Sequence, residues 1–372
     1  MAFGKTVFDA WLAAAEVPYD TLIPLLHQFD GSEAVFSAWR RRVEHPLFEA
    51  IPPACRKRMN ASSGDESLRV FEELAEAHGI RSMTILESSF PPCLRDLPDP
   101  PGILFFRGNP DVLGAERKVS MVGSRNASYN GLKAAERIAE GLSRNGVTVI
   151  SGLALGIDAA AHRGCLKGGS PTVAVMGGGL DKVYPPENSA LMQEILAKGG
   201  LVISEYAPGV KPAAYHFPYR NRLISGLTDA VVLMEAKIRS GSMTTVGHAL
   251  RQGKEVFSYP GDPVSPLSEA NRLLLREGAR YFTEAKDLLE DMNWLDNRSH
   301  VGQNIECSSK TVPGDPSEKA VFLALEKGNL GFDELIAATG MSSSALMSTL
   351  TVMQIRRMID VLPGKRYQLV RK

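Results

Sequence analysis

VSMVGSR at Val119–Arg125 and VTVISGLALGID at Val147–Asp158 each run from consecutive apolar residues straight into a glycine turn. A short, continuously apolar run between turn signals predicts a strand buried on both faces. The pattern returns at Thr172–Met176, Leu201–Ile203, Ala230–Met234 and Glu255–Ser258, with stretches of helical period in between. Strands alternating with helices predict an α/β domain built on a doubly wound, mostly parallel sheet. Ligands of such sheets sit beyond the carboxyl ends of the strands. Here those ends carry GSRN at Gly123–Asn126, SGLALGID at Ser151–Asp158, the triplet Gly177–Gly179 and RSGSMTT at Arg239–Thr245.

The turns suit an anion. Gly and Ser at a helix start leave backbone N–H groups unpaired beside the positive end of the helix dipole. Arg125 and Arg239 lie within two of the turns, where a guanidinium fork can close on a phosphate oxygen. The basic segment FPYRNR follows at Phe217–Arg222. Any parallel sheet needs small residues where strand becomes helix, so one such turn would mean little; the three at Gly123–Asn126, Ser151–Asp158 and Arg239–Thr245, two of them with arginine, predict an anion site.

Several chemistries fail on spacing. Gly123 opens no GxGxxG, and neither Asp158 nor Glu205 supplies the ribose-binding acid of a dinucleotide site. A Walker A loop is absent, and Gly177–Gly179 reads equally as a nucleotide loop or a tight turn. His162, His216 and His248 have no metal-ligand spacing, and no serine sits in a GxSxG elbow. Asp158 and His162 stand four apart, which predicts a structural pair at a helix start. Asp181, Glu205 and Glu235 are expected to cap and fix loops rather than to act as acid and base. No catalytic residue, metal or cofactor is expected.

Composition agrees. In 372 residues, 42 basic and 42 acidic side chains cancel, so a nucleic-acid site has to be a local patch. The cysteines, at 55, 93, 165 and 307, form no CxxC pair, which speaks against zinc and disulfides and for a reducing cytoplasm. No apolar run reaches the roughly 20 residues of a membrane span.

Either side of the α/β region the period changes. Phe8, Trp11, Leu12 and Ala15, then Leu22, Leu25, Leu26 and Phe29, predict amphipathic helices in a small domain over 1–80. Arg40–Arg42 and Arg56–Arg58 there read as solvated helix faces. Residues 293–317 are polar and aperiodic, a linker. From Glu318 the apolar positions Val321, Leu325, Leu335, Ile336, Leu346, Leu350, Ile355 and Ile359 suit three helices, and Gly364, Tyr367, Leu369 and Val370 a hairpin. That order is winged-helix-like. Eight basic residues against four acidic from Lys319 to Lys372 favour DNA, yet the candidate reading helix, Ser342–Met353, has no Arg or Lys, so protein contact is expected of it.

Taken in order, VGSR, SGLALGIDAAAH, YPPEN, SEY, FPYRNRLISGL, EAKIRSGSMTT and VFSYPG resemble the DNA-processing protein A (DprA/Smf) family over Val119 to about Leu289. The resemblance implies an extended Rossmann-like domain over 81–292, between the N-terminal helical (SAM-like) domain and the C-terminal winged-helix-like domain at 318–372. It implies a non-enzymatic, cytoplasmic protein that binds single-stranded DNA. Such a protein loads a RecA-type recombinase onto incoming strands in natural transformation, displaces or bypasses single-strand binding protein, and acts as a homodimer. Carried over by position, the DNA-binding residues are Gly123, Ser124, Arg125, Gly156, Phe217, Arg220, Asn221 and Arg222, with Ser240, Gly241 and Ser242 of the SGS turn. Lys237 and Arg239 flank that turn, and Phe217 or Tyr219 offers a π-face for a base. Two positions depart from the family pattern: Leu155 stands where many relatives have a cation, shifting phosphate contact to a neighbour such as Lys167 or Lys237, and Glu269 stands where a glycine is common. Two other readings remain: a nucleotide phosphoribohydrolase-type enzyme, against which RSGSMTT lacks the PGGxGT turn and its glutamate, and a duplex-binding regulator acting through the winged helix.

Overall fold

A computed structural model of the chain describes residues 3–295, 315–326, 328–355, 358–362 and 366–369. The chain divides into two compact units, Met1–Asp296 and Asn297–Lys372. Among the described residues of the first, nine strands form one sheet: β1 (Arg81–Thr84), β2 (Ile103–Gly108), β3 (Lys118–Val122), β4 (Thr148–Ser151), β5 (Val173–Val175), β6 (Leu201–Ser204), β7 (Ala230–Leu233), β8 (Glu255–Ser258) and β9 (Arg280–Tyr281). Their order is β1-β2-β6-β5-β4-β3-β7-β8-β9. The seven from β6 to β9 run parallel, in register pairs such as Val119–Val149 and Val119–Ala230. β1 and β2 add an antiparallel edge.

The six expected strands are all present within a residue or two of their apolar runs. Every residue of β4, β5, β6 and β7 is buried, as a sheet covered by helices on both faces demands. β1, β2 and β9 lie outside the expected set: RSMT mixes polar with apolar, and β9 has two residues. From β3 the chain winds first toward β4, β5 and β6, then returns through β7 on the opposite side of β3. The β3/β7 boundary is therefore the topological switch point, where the strand ends open a crevice.

The described residues up to 80 form six helices, among them Lys5–Ala14 and Tyr19–Phe29, which carry the predicted apolar faces. Trp11, Leu25 and Leu26 belong to one buried cluster with Phe105 of β2, Ala174 of β5 and Val202 of β6, so a shared core runs across the boundary expected at residue 80. Asp9 is buried there, accepting from Lys5 Nζ at 2.6 Å, Ser32 Oγ at 2.5 Å and Ser82 Oγ at 2.6 Å, which knits the helices to β1.

The second unit has helices Pro316–Leu325, Phe332–Thr339 and Ser343–Ile355 and a sheet of β10 (Leu330–Gly331), β11 (Ile359–Leu362) and β12 (Arg366–Leu369), ordered β10-β12-β11. Val321, Leu325, Leu335, Leu346, Leu350, Met353 and Ile359 make its core. Three helices closed by a hairpin are the expected winged-helix order. Of the expected linker, residues 296–314 lie outside the described residues, as do Gly364 and Val370. Among the described residues no single helix is long and apolar enough to cross a membrane.

His162, expected to pair with Asp158, does not. Its Nδ1 lies 2.8 Å from Thr172 Oγ1, whose proton goes to the Val149 carbonyl at 2.5 Å. Nδ1–H must then be the donor, and Nε2 is left buried with no protein partner among the described residues. Burial first, then the charges of Arg220 and Arg163, push the imidazole down to about 3. A folded pKa below the ordinary 6.5 means that the neutral ring's contribution is complete above pH 6.5 and is lost as pH falls toward 3. His162→Gln is expected to flatten the acid limb of a urea-stability profile by one proton, about 1.4 kcal/mol per pH unit; an unchanged slope would refute the assignment.

Candidate nucleic-acid interface

At the switch point the strand-end turns enclose a groove of ≈ 670 Å³. Three segments supply most of the expected residues, while Ala154, Asp158, Tyr184 and Pro212 also line the groove. The turn after β3 supplies Gly123, Ser124 and Arg125; the turn after β7 supplies Lys237, Arg239, Ser240, Gly241 and Ser242; the helix His216–Gly226 supplies Phe217, Arg220 and Asn221. The turns are locked together by backbone: Ser124 N–H donates to the Glu235 carbonyl at 2.6 Å, and Ile157 N–H to the Ser124 carbonyl at 3.2 Å.

Gly156 lies beneath this joint rather than on the groove wall. Its φ of +79° is left-handed, and a Cβ would collide with the Ser124 carbonyl oxygen. We expect Gly156→Ala to cost about 1–3 kcal/mol through backbone strain and displacement of the Ser124–Arg125 turn. The urea midpoint measures this; a variant as stable as the parent would refute it.

The segment FPYRNR is helical, and helical phase decides what it presents. Phe217, Arg220, Asn221 and Ile224 stand at i, i+3, i+4 and i+7, and all four line the groove. Arg222 is two residues, about 200°, beyond Arg220 and faces away. Arg222, expected among the DNA-binding residues, is therefore absent from the groove wall. The side chain is 0% exposed and meets both oxygens of Glu205, Nη2–H donating to Oε1 at 2.6 Å. Nε–H donates to the Asp99 carbonyl at 3.0 Å, and the guanidinium lies 3.9 Å from the Tyr219 ring centroid. Burial alone would make this cation easier to neutralise, but Glu205 more than offsets it and holds the pKa above the ordinary arginine value. Tyr219 packs on Arg222 away from the groove, so of the two candidate π-faces Phe217 alone enters it.

Arg220 is only 4% exposed. Its Nη1–H donates to the Gly152 carbonyl at 3.1 Å and to the Val175 carbonyl, and Nε–H to Asn221 Oδ1 at 3.3 Å. Burial pulls its pKa down to about 10, opposed by Asp158 and assisted by the like charge of Arg125. It stays charged at neutral pH. Asp158 accepts from the backbone N–H of Gly152 at 3.1 Å and of Ala154 at 3.4 Å; burial raises its pKa against the pull of Arg220. This carboxylate serves the turn that Arg220 braces, which is the role His162 was expected to share.

Arg125, Lys237 and Arg239 are exposed and have no acidic partner among the described residues. Arg125 lies 5.4 Å from the Phe217 ring centroid, and that ring packs against Tyr184 at 5.5 Å with a 35° tilt. Asn221 supports the groove from below, its Nδ2 donating to the Gly241 carbonyl at 3.1 Å and to Thr244 Oγ1 at 2.8 Å and so fixing the SGS turn. The helix Gly241–Arg251 starts there with Ser240 as N-cap and no side-chain cap. Gly241 and Ser242 line the groove at a helix start, where backbone N–H groups have no intrahelical acceptor, and the cations converge beside them.

Lys167 pairs with Glu136 instead of joining the groove, whereas Lys237 lines it. Leu155 lines a smaller recess beside Arg125 and Phe217. Gly177–Gly179 is a tight turn: Gly177 lies under the Phe217 ring and Gly178 against Pro212, and none of the three lines the groove. Asp181 accepts from Gly209 N–H at 2.7 Å, Glu205 holds Arg222, and Glu235 accepts from Ser128, so each fixes a loop. Sequence reading missed Tyr184, whose YPPEN motif hinted at it, and Asn271. The latter is fully buried: Oδ1 accepts from Ala236 N–H at 3.1 Å, and Nδ2 donates to the Leu233 and Met234 carbonyls at 3.0 and 3.1 Å. It shapes the turn that carries Lys237. Glu269, two residues earlier, is an exposed helix start outside the groove lining.

Residues 81–293 match the family model for DNA recombination-mediator protein A, and residues 308–365 the DprA winged helix domain. The chain is 43% identical over 213 residues to the DNA processing protein DprA of Streptococcus pneumoniae, covering 57% of this chain and 74% of that protein. It is 36% identical over 214 residues to that of Bacillus subtilis, covering 58% and 72%. The X-ray structure of the S. pneumoniae protein superposes with TM-score 0.64 at 32% identity, over 78% of this chain and 99% of that one. A structure of DNA processing protein A from Helicobacter pylori, described for its single-stranded DNA binding mode, superposes with TM-score 0.53 at 29% identity, over 58% and 97%.

Proposed function

The chain belongs to the DNA recombination-mediator protein A family, and we propose from that premise that its switch-point groove binds single-stranded DNA without sequence preference. The observation that carries this is the convergence of Arg125, Lys237, Arg239 and buried Arg220 on one groove, without acidic partners for the exposed three among the described residues. An unpaired strand offers phosphates to such cations and base faces to an aromatic pair such as Phe217 and Tyr184. The groove's cations, backbone N–H groups and rings meet phosphates and base faces, which every nucleotide presents alike. The protein acts as a recombination mediator in natural transformation. It delivers the bound strand to a RecA-type recombinase in place of single-strand binding protein, as a cytoplasmic homodimer without catalytic chemistry of its own. Two carboxylates support the non-enzymatic part of this reading: Asp158, which lines the groove, and Glu235, which does not, are both held by backbone N–H groups.

The test is fluorescence anisotropy with matched single- and double-stranded oligonucleotides across a salt series. Single strands are expected to bind more tightly, with log affinity falling at a slope of about −0.7 per phosphate neutralised. Equal affinity for both forms, or no salt dependence, would overturn the reading. Release of free base from nucleoside monophosphates would replace it with an enzyme.

A further inference from the structure

The helix Tyr129–Arg144 follows β3, the place where a dinucleotide-binding fold seats its pyrophosphate on free N–H groups. Here that seat is filled from within. Glu235, buried and 107 residues distant in sequence, accepts from Ser128 N–H at 2.8 Å through Oε2 and from Ser128 Oγ–H at 2.6 Å through Oε1. Ser128 is the helix N-cap, and its Oγ accepts from Gly131 N–H at 2.9 Å. A capping box completes this arrangement with Glu or Gln at the third helical position, reaching back to the N-cap N–H. That position is Gly131, and the three atoms nearest to a Cβ placed there all belong to the Glu235 carboxylate. The carboxylate missing from the helix's own sequence is thus delivered by the turn after β7. The same Glu235 accepts Ser124 N–H through its main-chain carbonyl, so one residue joins the turn after β3 to the start of the helix that follows.

We propose that Glu235 is a specificity-determining residue: an internal anion, capping the first helix after β3 in trans, that closes the nucleotide-phosphate seat and leaves only the outer cations to bind a polynucleotide. The physical basis is that one helix N-terminus holds one anionic group at that distance, and a resident carboxylate excludes a diphosphate by charge and by volume.

The test uses the full chain, with inorganic pyrophosphate as probe and Tm and calorimetric titration as readouts. Glu235→Ala removes the resident anion, and pyrophosphate is expected to bind it at least tenfold more tightly than the parent. Its Tm should rise by about 5 °C at a concentration some 100-fold above the Kd. If the variant folds poorly, pyrophosphate is expected to restore its folding, so the measurement still decides. The double variant Gly131→Gln with Glu235→Ala supplies a neutral cap from the helix itself; it is expected to stay folded and lose the gained affinity, because the seat is filled again. Pyrophosphate binding Glu235→Ala no better than the parent would overturn the proposal. So would a double variant that binds as tightly as the single one, since the gain would then come from reduced charge at the outer groove. Neither readout involves DNA, so failure here is separable from failure of strand binding.

Discussion

Arg222→Ala is expected to lower the stability of the first unit by about 3–5 kcal/mol, the usual result of removing one partner from a buried ion pair. Glu205, only 14% exposed at its side chain, would be left facing a void in place of two charge-assisted hydrogen bonds. The Asp99 carbonyl and the Tyr219 ring would lose their partner as well, so the loop at Asp99 and the helix His216–Gly226 should loosen together. Urea denaturation measures the loss. At temperatures where the variant remains folded, single-strand affinity should change by less than about threefold, an expectation that follows from the absence of Arg222 from the groove wall. A stable variant with strongly reduced DNA binding would show that Arg222 touches the strand after all. Arg222→Lys should recover little, because an ammonium cannot reproduce the bidentate fork.

The opposite pattern is expected of Arg125 and Lys237. Both are exposed, and neither has an acidic partner among the described residues. Arg125→Ala and Lys237→Ala should each weaken single-strand binding about tenfold, since a charge-assisted hydrogen bond contributes about 1.5–3 kcal/mol. Together they should flatten the salt slope by about 1.4, two phosphates at roughly 0.7 each. Urea midpoints should move within the small range typical of surface substitutions, about 0.5 kcal/mol. A double variant with the parent's salt slope would place the strand elsewhere on the molecule. Arg220 lies between these extremes. Its guanidinium braces Gly152 and Val175 while facing the groove, so Arg220→Ala should cost both stability and affinity and is the less informative substitution.

The contrast between Arg220 and Arg222 marks where sequence reading stops. FPYRNR reads as one basic segment, and as an extended loop it would present its arginines to a strand together. Its helical conformation sends Phe217, Arg220, Asn221 and Ile224 to the groove and Arg222 to Glu205. So short and polar a stretch has too few apolar positions for their spacing to reveal which side is buried. The Asp158–His162 spacing misled in a similar way. Both residues are on one helix, yet each has a stronger partner from another segment: Gly152 N–H for the carboxylate and Thr172 for the imidazole.

The positions of six of the nine strands, the doubly wound arrangement, the edge of the sheet that carries the groove and the winged-helix order were legible in the amino-acid sequence alone. Each is a statement about apolar period or turn chemistry within some ten to twenty neighbouring residues, and burial imposes those patterns locally. Only the tertiary structure decided which cations are free and which are consumed. Arg222 finds one acid, Glu205, 17 residues away and a second, Asp99, 123 residues away, and Glu235 caps a helix 107 residues distant. Partners brought together by chain folding leave no periodic trace, so a charged side chain's role depends on geometry that no local window contains.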